Sequence, residues 1–306
     1  MRIAIIDLGT NTFNLLISDR LENGQYNTVF KTKIPVKLGQ GGIDKGIISF
    51  DAFERGIKAL KEHQQSINEY QTHKYRAFAT SAIRSTKNGH EFVKEAKQSL
   101  GIDIEVIDGN KEAELIYYGV REVIKFESSY DLIMDIGGGS TEFIIANSNG
   151  VAWAKSYPLG VSRLKELFKP SDPISKPDIN GIIQFIDESL VDLFEALSKS
   201  PCLRLVGSSG SFDSIVEMIA HQFQDPERVR QKSADIHSEE FAWLYDYLID
   251  SDIDKRLNTP GLVPMRADMI VISVIFIHYI LKKTDIYSIK RSKYALKEGA
   301  LRQFFK

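Results

Sequence analysis

The sequence predicts an α/β protein that is built from two similar domains. The chain has 306 residues, and a domain is typically about 100–200 residues long. Predicted strands alternate with predicted helices, which is typical of α/β folds. A strand–turn–strand segment that contains Asp7 recurs with Asp135, 135 − 7 = 128 residues later. We expect a first domain over residues 1–124, a second over 125–295, and a final helix at 296–306 that packs on the first.

Composition and charge exclude several classes of protein. The net charge is 39 − 41 = −2, which argues against binding to nucleic acid, because that normally needs a basic face. Cys202 is the only cysteine, so no intrachain disulfide forms and structural zinc is disfavoured. The longest apolar stretch, residues 269–281, is shorter than the roughly 20 residues of a bilayer span. The N-terminal apolar run is too short for a signal peptide, so the sequence predicts a cytoplasmic protein with no membrane partner.

Turn signals and hydrophobic periodicity locate the elements of the first domain. Two short strands flank the polar turn at residues 9–12, and a third strand follows the predicted Asn23–Gly24 turn. Apolar residues at steps of three and four predict a long helix over residues 51–70. The predicted elements are strands at 3–6, 13–17, 26–34, 75–79 and 104–107, and helices at 51–70, 89–100 and 112–126.

The second domain repeats the opening pattern of the first. Strands are predicted at residues 131–136 and 143–146, on either side of three consecutive glycines. A further strand at 203–206 leads into the Gly–Ser–Ser–Gly turn at 207–210, which suits an anion at a helix N-terminus. The apolar stretch at 269–281 is predicted to be a buried helix.

The two polar turns carry the chemistry that the sequence indicates most clearly. Each segment runs from an aspartate through a glycine and a polar turn to a phenylalanine, at residues 7–13 and 135–143. Such turns direct backbone amides at one spot, where they can bind an anion. Either turn alone could serve only hairpin geometry, but the matched pair favours phosphate. The predicted phosphate-binding residues of the turns are Gly9, Thr10, Asn11, Thr12, Gly137, Gly138, Gly139, Ser140 and Thr141.

Further candidate site residues lie at the ends of predicted strands or shortly after them. Asp7 and Asp135 end their strands where a hard cation needs oxygen ligands, so they are the predicted Mg²⁺ ligands. Arg84 follows a strand among small and hydroxyl residues, and its planar guanidinium suits a phosphate. Ser208, in the turn at 207–210, is a further predicted phosphate contact. The Walker and dinucleotide fingerprints are absent, which disfavours those nucleotide folds.

An ordered set of segments runs through most of the chain, at residues 7–13, 37–39, 79–84, 110–120, 135–142, 158–164, 207–210, 266–268 and 297–299. This set resembles the exopolyphosphatase/guanosine pentaphosphate phosphohydrolase family, in its short form without the C-terminal helical module. The resemblance implies two ribonuclease-H-like domains of the actin-like superfamily, with an interdomain cleft that holds the active site.

The resemblance also implies roles for two glutamates and a reaction. Glu112 would be the catalytic base that activates water, and Glu142 would position that water or the metal. The implied activity is Mg²⁺-dependent hydrolysis of terminal phosphate from polyphosphate. Guanosine pentaphosphate hydrolysis, a non-catalytic sensor of polyphosphate or guanosine tetraphosphate, and a kinase of the same superfamily stay open as alternatives. Because relatives commonly pair, a homodimer is expected.

Overall fold

The chain forms two α/β units in a computed structural model that describes residues 1–22 and 25–304. Backbone contacts group Met1–Gly119 with Leu296–Lys306 as unit 1, and Val120–Ala295 as unit 2. The predicted α/β class is confirmed, since each unit has one mixed sheet with helices. This grouping divides the chain after Gly119, whereas the domain limits expected from the sequence, 1–124 and 125–295, stay a prediction.

Unit 1 contains a five-stranded sheet in the order β3-β2-β1-β4-β5. The first three strands pair antiparallel, and β1–β4 and β4–β5 pair in parallel. The strands are β1 Arg2–Leu8, β2 Thr12–Arg20, β3 Tyr26–Pro35, β4 Lys74–Ala79 and β5 Ile104–Val106. All five were predicted within a few residues, whereas the predicted Asn23–Gly24 turn lies outside the described residues.

The helices of unit 1 bury one face against this sheet. The buried residues of the first helix include Ala52, Gly56, Leu60 and His63, which follow the three- and four-residue steps of its sequence pattern. The last helix contacts β1, which is why the C-terminal segment groups with unit 1. The helices are α1 Phe50–Glu69, α2 Ser81–Ser85, α3 Gly89–Leu100, α4 Gly109–Val120 and α13 Leu296–Phe304.

His63 ties α1 to the start of β2 from inside the core of unit 1. Its side chain is fully buried, and its Nε2 lies 3.2 Å from the carbonyl oxygen of Phe13. Burial lowers the pKa of His63, which favours the neutral ring. The contact therefore fixes the backbone of β2 directly after the first polar turn.

Helix α4 ends six residues before the predicted end at Phe126. The amide of Val123 donates to the carbonyl oxygen of Val120 at 3.1 Å, an i→i−3 bond of the kind that tightens the chain at a helix end. Ile124, in the turn that follows, is 3% exposed. The predicted helix is confirmed, but its predicted C-terminus is wrong.

Unit 2 contains a six-stranded sheet in the order β10-β11-β9-β6-β7-β8. The β6–β7, β7–β8 and β10–β11 pairs are antiparallel, and β6–β9 and β9–β11 are parallel. The strands are β6 Tyr130–Ile136, β7 Thr141–Asn147, β8 Gly150–Tyr157, β9 Cys202–Ser208, β10 Ser233–Ile236 and β11 Ser288–Ser292.

The core of unit 2 is centred on helix α12, the segment that the sequence predicted as a buried helix. Ten of its residues, from Ile270 to Ile280, are buried. None of the helices in the described part of the chain is long and apolar enough to cross a membrane. The helices of unit 2 are α5 Val161–Phe168, α6 Lys176–Ser189, α7 Val191–Lys199, α8 Ser209–Gln222, α9 Pro226–Arg230, α10 Ser238–Ile249, α11 Ile253–Leu257 and α12 Ile270–Lys283.

The two sheets share one topology, as the repeated sequence segment suggested. The order β8-β7-β6-β9-β11 in unit 2 repeats β3-β2-β1-β4-β5 in unit 1, with β10 added at the edge. In the ladders Asp7 pairs with Asn14 and Asp135 with Glu142, a separation of seven residues in both (14 − 7 and 142 − 135). The two turns are therefore equally long. Aligning Phe13 with Phe143, as the sequence suggested, is wrong by two residues.

Candidate active site

The turn between β1 and β2, loop 1 (residues 9–12), is tied back by the chain that follows β3. The amide of Gly9 closes the turn on the carbonyl oxygen of Thr12 at 3.1 Å. The amides of Val36 and Lys37 both donate to the carbonyl oxygen of Asn11 at 2.9 Å. The carbonyl oxygen of Thr10 accepts a hydrogen bond from Gly39 at 3.3 Å. The carbonyls of Thr10 and Asn11 therefore face the segment 36–39.

The turn between β6 and β7, loop 2 (residues 137–140), is built in the same way. The amide of Gly137 closes it on the carbonyl oxygen of Ser140 at 3.0 Å. Here the first turn of α5 ties the loop back. The carbonyl oxygens of Gly137, Gly138 and Gly139 accept hydrogen bonds from Val161 N (3.0 Å), Ser162 N (2.9 Å), Arg163 N (3.2 Å) and Arg163 Nε (3.1 Å).

These ties determine where the loop amides point. In a trans peptide the N–H points opposite to the carbonyl of the preceding residue. The amides of Asn11 and Thr12 therefore point away from segment 36–39, and those of Gly138, Gly139 and Ser140 point away from α5. Successive amides that share one direction form an anion-binding nest. Each loop thus directs successive amides away from the segment that ties it back, as in an anion-binding nest, and phosphate binding there stays a prediction.

A row of polar side chains crosses the sheet of unit 2 beside loop 2. Asp135 lies directly opposite Glu142 on β7 and opposite Ser208 on β9. Directly opposed residues share a face of the sheet, with Cβ atoms about 4.5–5.5 Å apart in antiparallel pairs. Asp135 is 5% exposed and Glu142 is 2% exposed. Two buried carboxylates side by side repel each other, so a cation between them would be stabilising.

Two serines at the start of α8 hold the carboxylate of Asp135. The hydroxyls of Ser208 and Ser209 donate to its Oδ2 at 2.6 and 2.7 Å. Ser209 has a φ of 67°, a conformation uncommon for a residue with a side chain and frequent at functional sites. This strained strand-to-helix turn brings both hydroxyls onto one oxygen. Glu142 is held separately, by the hydroxyl of Ser156 at 2.7 Å.

The equivalent pair in unit 1 contains only one acid. Asn14 occupies the place that Glu142 has in unit 2, and its amide donates to Oδ2 of Asp7 at 3.0 Å. Asp7 is partly buried. A pair of acidic residues is therefore present in unit 2 but not at the equivalent place in unit 1. A cation would be held more tightly by Asp135 and Glu142 than by Asp7 alone. The Mg²⁺ role of Asp7 stays a prediction.

Arg84 and Glu112, both in unit 1, form an ion pair. Nη1 of Arg84 donates to Oε2 of Glu112 at 2.8 Å and to the carbonyl oxygen of Ile107 at 2.9 Å. Glu112 lies in the first turn of α4 and is 6% exposed. Within residues 1–22 and 25–304, nothing pairs with Nε or Nη2 of Arg84. The guanidinium can therefore hold Glu112 and bind a phosphate oxygen at once.

The structure places the predicted site residues in two groups, one in each unit. Unit 1 holds Asp7, loop 1, Arg84 and Glu112, and unit 2 holds Asp135, loop 2, Thr141, Glu142 and Ser208. Several predicted hydroxyls are buried: Thr10 is 3% exposed, Ser140 is 4% exposed and Thr141 is fully buried. The hydroxyl of Thr141 donates to the carbonyl oxygen of Leu159 at 3.0 Å. For Thr141 the structure favours a supporting role, and the phosphate contacts of the set stay predictions.

The sequence reasoning missed three contributors to these groups. Ser209 was part of the Gly–Ser–Ser–Gly turn but was not singled out. Gly160 lay in the matching segment 158–164 but was given no role, and Ser156 gave no local signal, because the importance of both comes from contacts made in the folded chain. No three or more His, Cys, Asp or Glu side chains in the described chain gather into a metal-binding group.

Replacing Gly160 with alanine is expected to lower the free energy of unfolding by about 1–3 kcal/mol. A Cβ at this position would lie 2.3 Å from the backbone C of Gly138 and N of Gly139. Loop 2 cannot move aside, since its carbonyls are bonded to α5. Urea unfolding measures the change.

Gly181→Ala is the matched control for this prediction. Gly181 lies inside α6, and its added Cβ would meet only the ring of Phe168, at 3.7 Å. Alanine there is expected to raise the free energy of unfolding by about 0.5–1 kcal/mol. If both variants were stabilised alike, the close packing of Gly160 on loop 2 would be wrong.

Solved structures of other proteins are similar to this chain along nearly its whole length. A crystal structure of an exopolyphosphatase from Cytophaga hutchinsonii superposes with a TM-score of 0.97 and 37% identity, covering 100% of this chain and 98% of that one. The Aquifex aeolicus PPX-GPPA enzyme gives a TM-score of 0.80 and 25% identity, covering 99% of both chains.

A longer relative matches along most of this chain. The guanosine-5'-triphosphate,3'-diphosphate pyrophosphatase of Vibrio cholerae is 30% identical over 300 residues, which is 97% of this chain but 58% of that protein. The sequence pattern of the Ppx/GppA phosphatase family matches residues 17–305. Since that match covers nearly the whole chain, the protein belongs to the Ppx/GppA phosphatase family.

Proposed function

We propose that this protein is an exopolyphosphatase, which removes the terminal phosphate of inorganic polyphosphate by attack of water. The duplicated amide-lined loop, with an aspartate at the end of the strand before it, carries the proposal, because it offers repeated phosphate-binding sites. Similarity over the whole chain to a Cytophaga exopolyphosphatase supports polyphosphate as the substrate.

Glu112 is the proposed general base. One of its oxygens is fixed by Arg84, so the carboxylate has a defined orientation. A water molecule attacks the terminal phosphorus and gives its proton to Glu112. The bond from that phosphorus to the bridging oxygen breaks, which releases orthophosphate and a chain shorter by one phosphate. Arg84 and the amides of loop 1, which belong to the same unit as Glu112, bind the phosphoryl oxygens on which negative charge is concentrated.

The residues around Asp135 fit a divalent cation, and we propose Mg²⁺. Asp135 and Glu142 are adjacent buried carboxylates, and two serine hydroxyls fix Asp135 in one orientation. When bound, Mg²⁺ would neutralise phosphate charge and polarise the phosphoryl oxygens. A separate, weaker Mg²⁺ role for Asp7 in unit 1 is part of the same proposal. The expected homodimer and cytoplasmic location belong to this proposal too.

Guanosine pentaphosphate is the second candidate substrate. The Vibrio relative is named for a guanosine 5'-triphosphate 3'-diphosphate, and it matches 97% of this chain. That protein is longer, however, since the matched region is 58% of its length. A sensor that binds polyphosphate or guanosine tetraphosphate without hydrolysis is a third candidate.

Phosphate release from four substrates separates these candidates. Tripolyphosphate, a long polyphosphate, guanosine pentaphosphate and ATP are each supplied at matched concentration with Mg²⁺, and again with a chelator. We expect release from both polyphosphates that requires the metal. Release from guanosine pentaphosphate alone would favour the second candidate. Binding of polyphosphate without any release would favour the sensor, and transfer from ATP to an added acceptor would favour a kinase.

A further inference from the structure

Three lysines of unit 1 have no role in the reaction as proposed. Lys45 and Lys87 are exposed, and Lys37 is partly buried. Across the residues that the structure describes, none forms an ion pair or side-chain hydrogen bond with their ammonium groups. Elsewhere in the unit, Lys97 pairs with Asp103 and Lys111 with Glu114.

Backbone hydrogen bonds join these three lysines into one border beside the phosphate-binding groups of unit 1. Lys37 is fixed to loop 1 through its own amide, which donates to the carbonyl oxygen of Asn11 at 2.9 Å. The chain continues to Gly39, whose carbonyl oxygen accepts a hydrogen bond from the amide of Ile43 at 3.1 Å. Ile43 lies two residues before Lys45.

The border then continues to the segment that follows Arg84. The amide of Lys87 donates to the carbonyl oxygen of Gly46 at 2.8 Å. The side-chain amide of Asn88 closes the contact, accepting from Ile48 N and donating to Ile48 O, both at 2.8 Å. Lys87 lies three residues after Arg84, the partner of Glu112. The segments that carry the lysines are therefore hydrogen-bonded in series from loop 1 to the helix that contains Arg84.

The backbone at Lys37 is unusual in a way that supports function. Its φ is 48°, which a residue with a side chain seldom adopts. The turn that begins at this residue is closed by Gln40, whose amide donates to the carbonyl oxygen of Lys37 at 3.0 Å. Such strain is frequent where the structure fixes a group for binding.

Charge on the border is predominantly positive. Lys37, Lys45 and Lys87 contribute three cations to segments 37–48 and 84–89, and Asp44 is the one acid there, so the sum is 3 − 1 = +2 when Arg84 is counted with its partner Glu112. The whole chain has a net charge of −2. A local cationic edge on an acidic protein attracts a polyanion to that edge.

We propose that Lys37, Lys45 and Lys87 bind phosphate groups of a polyphosphate chain behind the terminal one, so that the protein binds long chains more tightly than short ones. This inference rests on the proposed function, because it assigns the substrate class of the same site. Lysine suits the task, since its flexible point charge can follow a chain that moves after each cleavage.

The test measures how salt weakens the binding of polyphosphate. The Lys37→Gln/Lys45→Gln/Lys87→Gln triple variant is compared with the parent, both carrying Glu112→Gln to prevent cleavage. Each lysine–phosphate contact adds about 0.7 to the slope of log K against log salt for a single-stranded polyanion, so we expect a slope shallower by about 2. At low salt, the Kd for long polyphosphate should rise about tenfold or more, and that for tripolyphosphate should rise less.

The matched control is Lys58→Gln/Lys61→Gln/Lys94→Gln. These lysines are also exposed and unpaired within the described chain, and they lie on α1 and α3, so the net charge changes equally. We expect the parent slope from the control. An equal slope change in both triple variants would overturn the inference, since only net charge would then matter. A loss that Lys37→Gln alone reproduces, equally for long and short chains, would also overturn it.

This test is independent of the proposed reaction. If the protein without Glu112→Gln released no phosphate but the slope changed as expected, the hydrolase proposal would fail and the lysine border would stand. If hydrolysis proceeded normally but chain length had no effect on binding, the border would fail and the hydrolase proposal would stand.

Discussion

Replacement of Glu112 by glutamine is expected to lower kcat for polyphosphate about 10²–10⁴-fold, the usual contribution of a positioned general base. Glutamine keeps the size of the side chain and an oxygen that can accept from Nη1 of Arg84, which lies 2.8 Å from Oε2. It cannot take the proton of the attacking water. KM should change little, because the proposed mechanism assigns phosphate binding to the loops and Arg84 and not to Glu112. Phosphate release under saturating substrate measures the effect.

Glu114→Gln is the control for this substitution. Glu114 lies on the same helix, but its carboxylate pairs with Lys111 at 2.9 Å, and its side chain is 43% exposed. An exposed pair contributes little to stability, so this variant should keep the parental kcat and unfold normally. Parental turnover by Glu112→Gln would exclude Glu112 as the base. A similar loss in both variants would point to disruption of α4.

The sequence contained most of what positions the two loops. Alternating apolar runs and glycine turns predicted the strands on either side of each loop, and the 128-residue repeat predicted one topology for both sheets. These features are local, since a strand or a turn depends on neighbouring residues. The alignment of the phenylalanines failed because register is determined by cross-strand pairing, which placed Asn14 opposite Asp7 and Glu142 opposite Asp135.

The support of the loops could not be predicted from the sequence. The first turn of α5 bonds to glycine carbonyls more than 20 residues earlier in the chain, and Ser209 reaches an aspartate 74 residues earlier. Such contacts exist only once the sheet has formed. They nevertheless determine where the amides point and which oxygen of Asp135 is bonded, and both properties are central to the proposed chemistry.

Asp135→Asn is expected to lower kcat about 10²–10³-fold at a fixed Mg²⁺ concentration, comparable to the loss of one transition-state charge contact. The asparagine keeps the shape of the side chain and an oxygen for the hydroxyls of Ser208 and Ser209, which bond Oδ2 at 2.6 and 2.7 Å. It removes one of two adjacent buried carboxylates, and with it the main attraction for a divalent cation. The Mg²⁺ concentration for half-maximal activity should therefore rise, and added metal should restore part of the rate.

Asp131→Asn on the same strand separates the metal effect from damage to the sheet. Asp131 is 4% exposed and pairs with Arg204, whose Nε lies 3.1 Å from Oδ1. Loss of that pair should lower the free energy of unfolding by about 1–3 kcal/mol. The metal dependence should stay that of the parent, because Asp131 lies at the other end of β6 from loop 2. If Asp131→Asn shifted the metal dependence as much as Asp135→Asn, the effect would come from a weakened sheet. A shift confined to Asp135→Asn would place the cation beside loop 2, where two buried carboxylates otherwise repel each other.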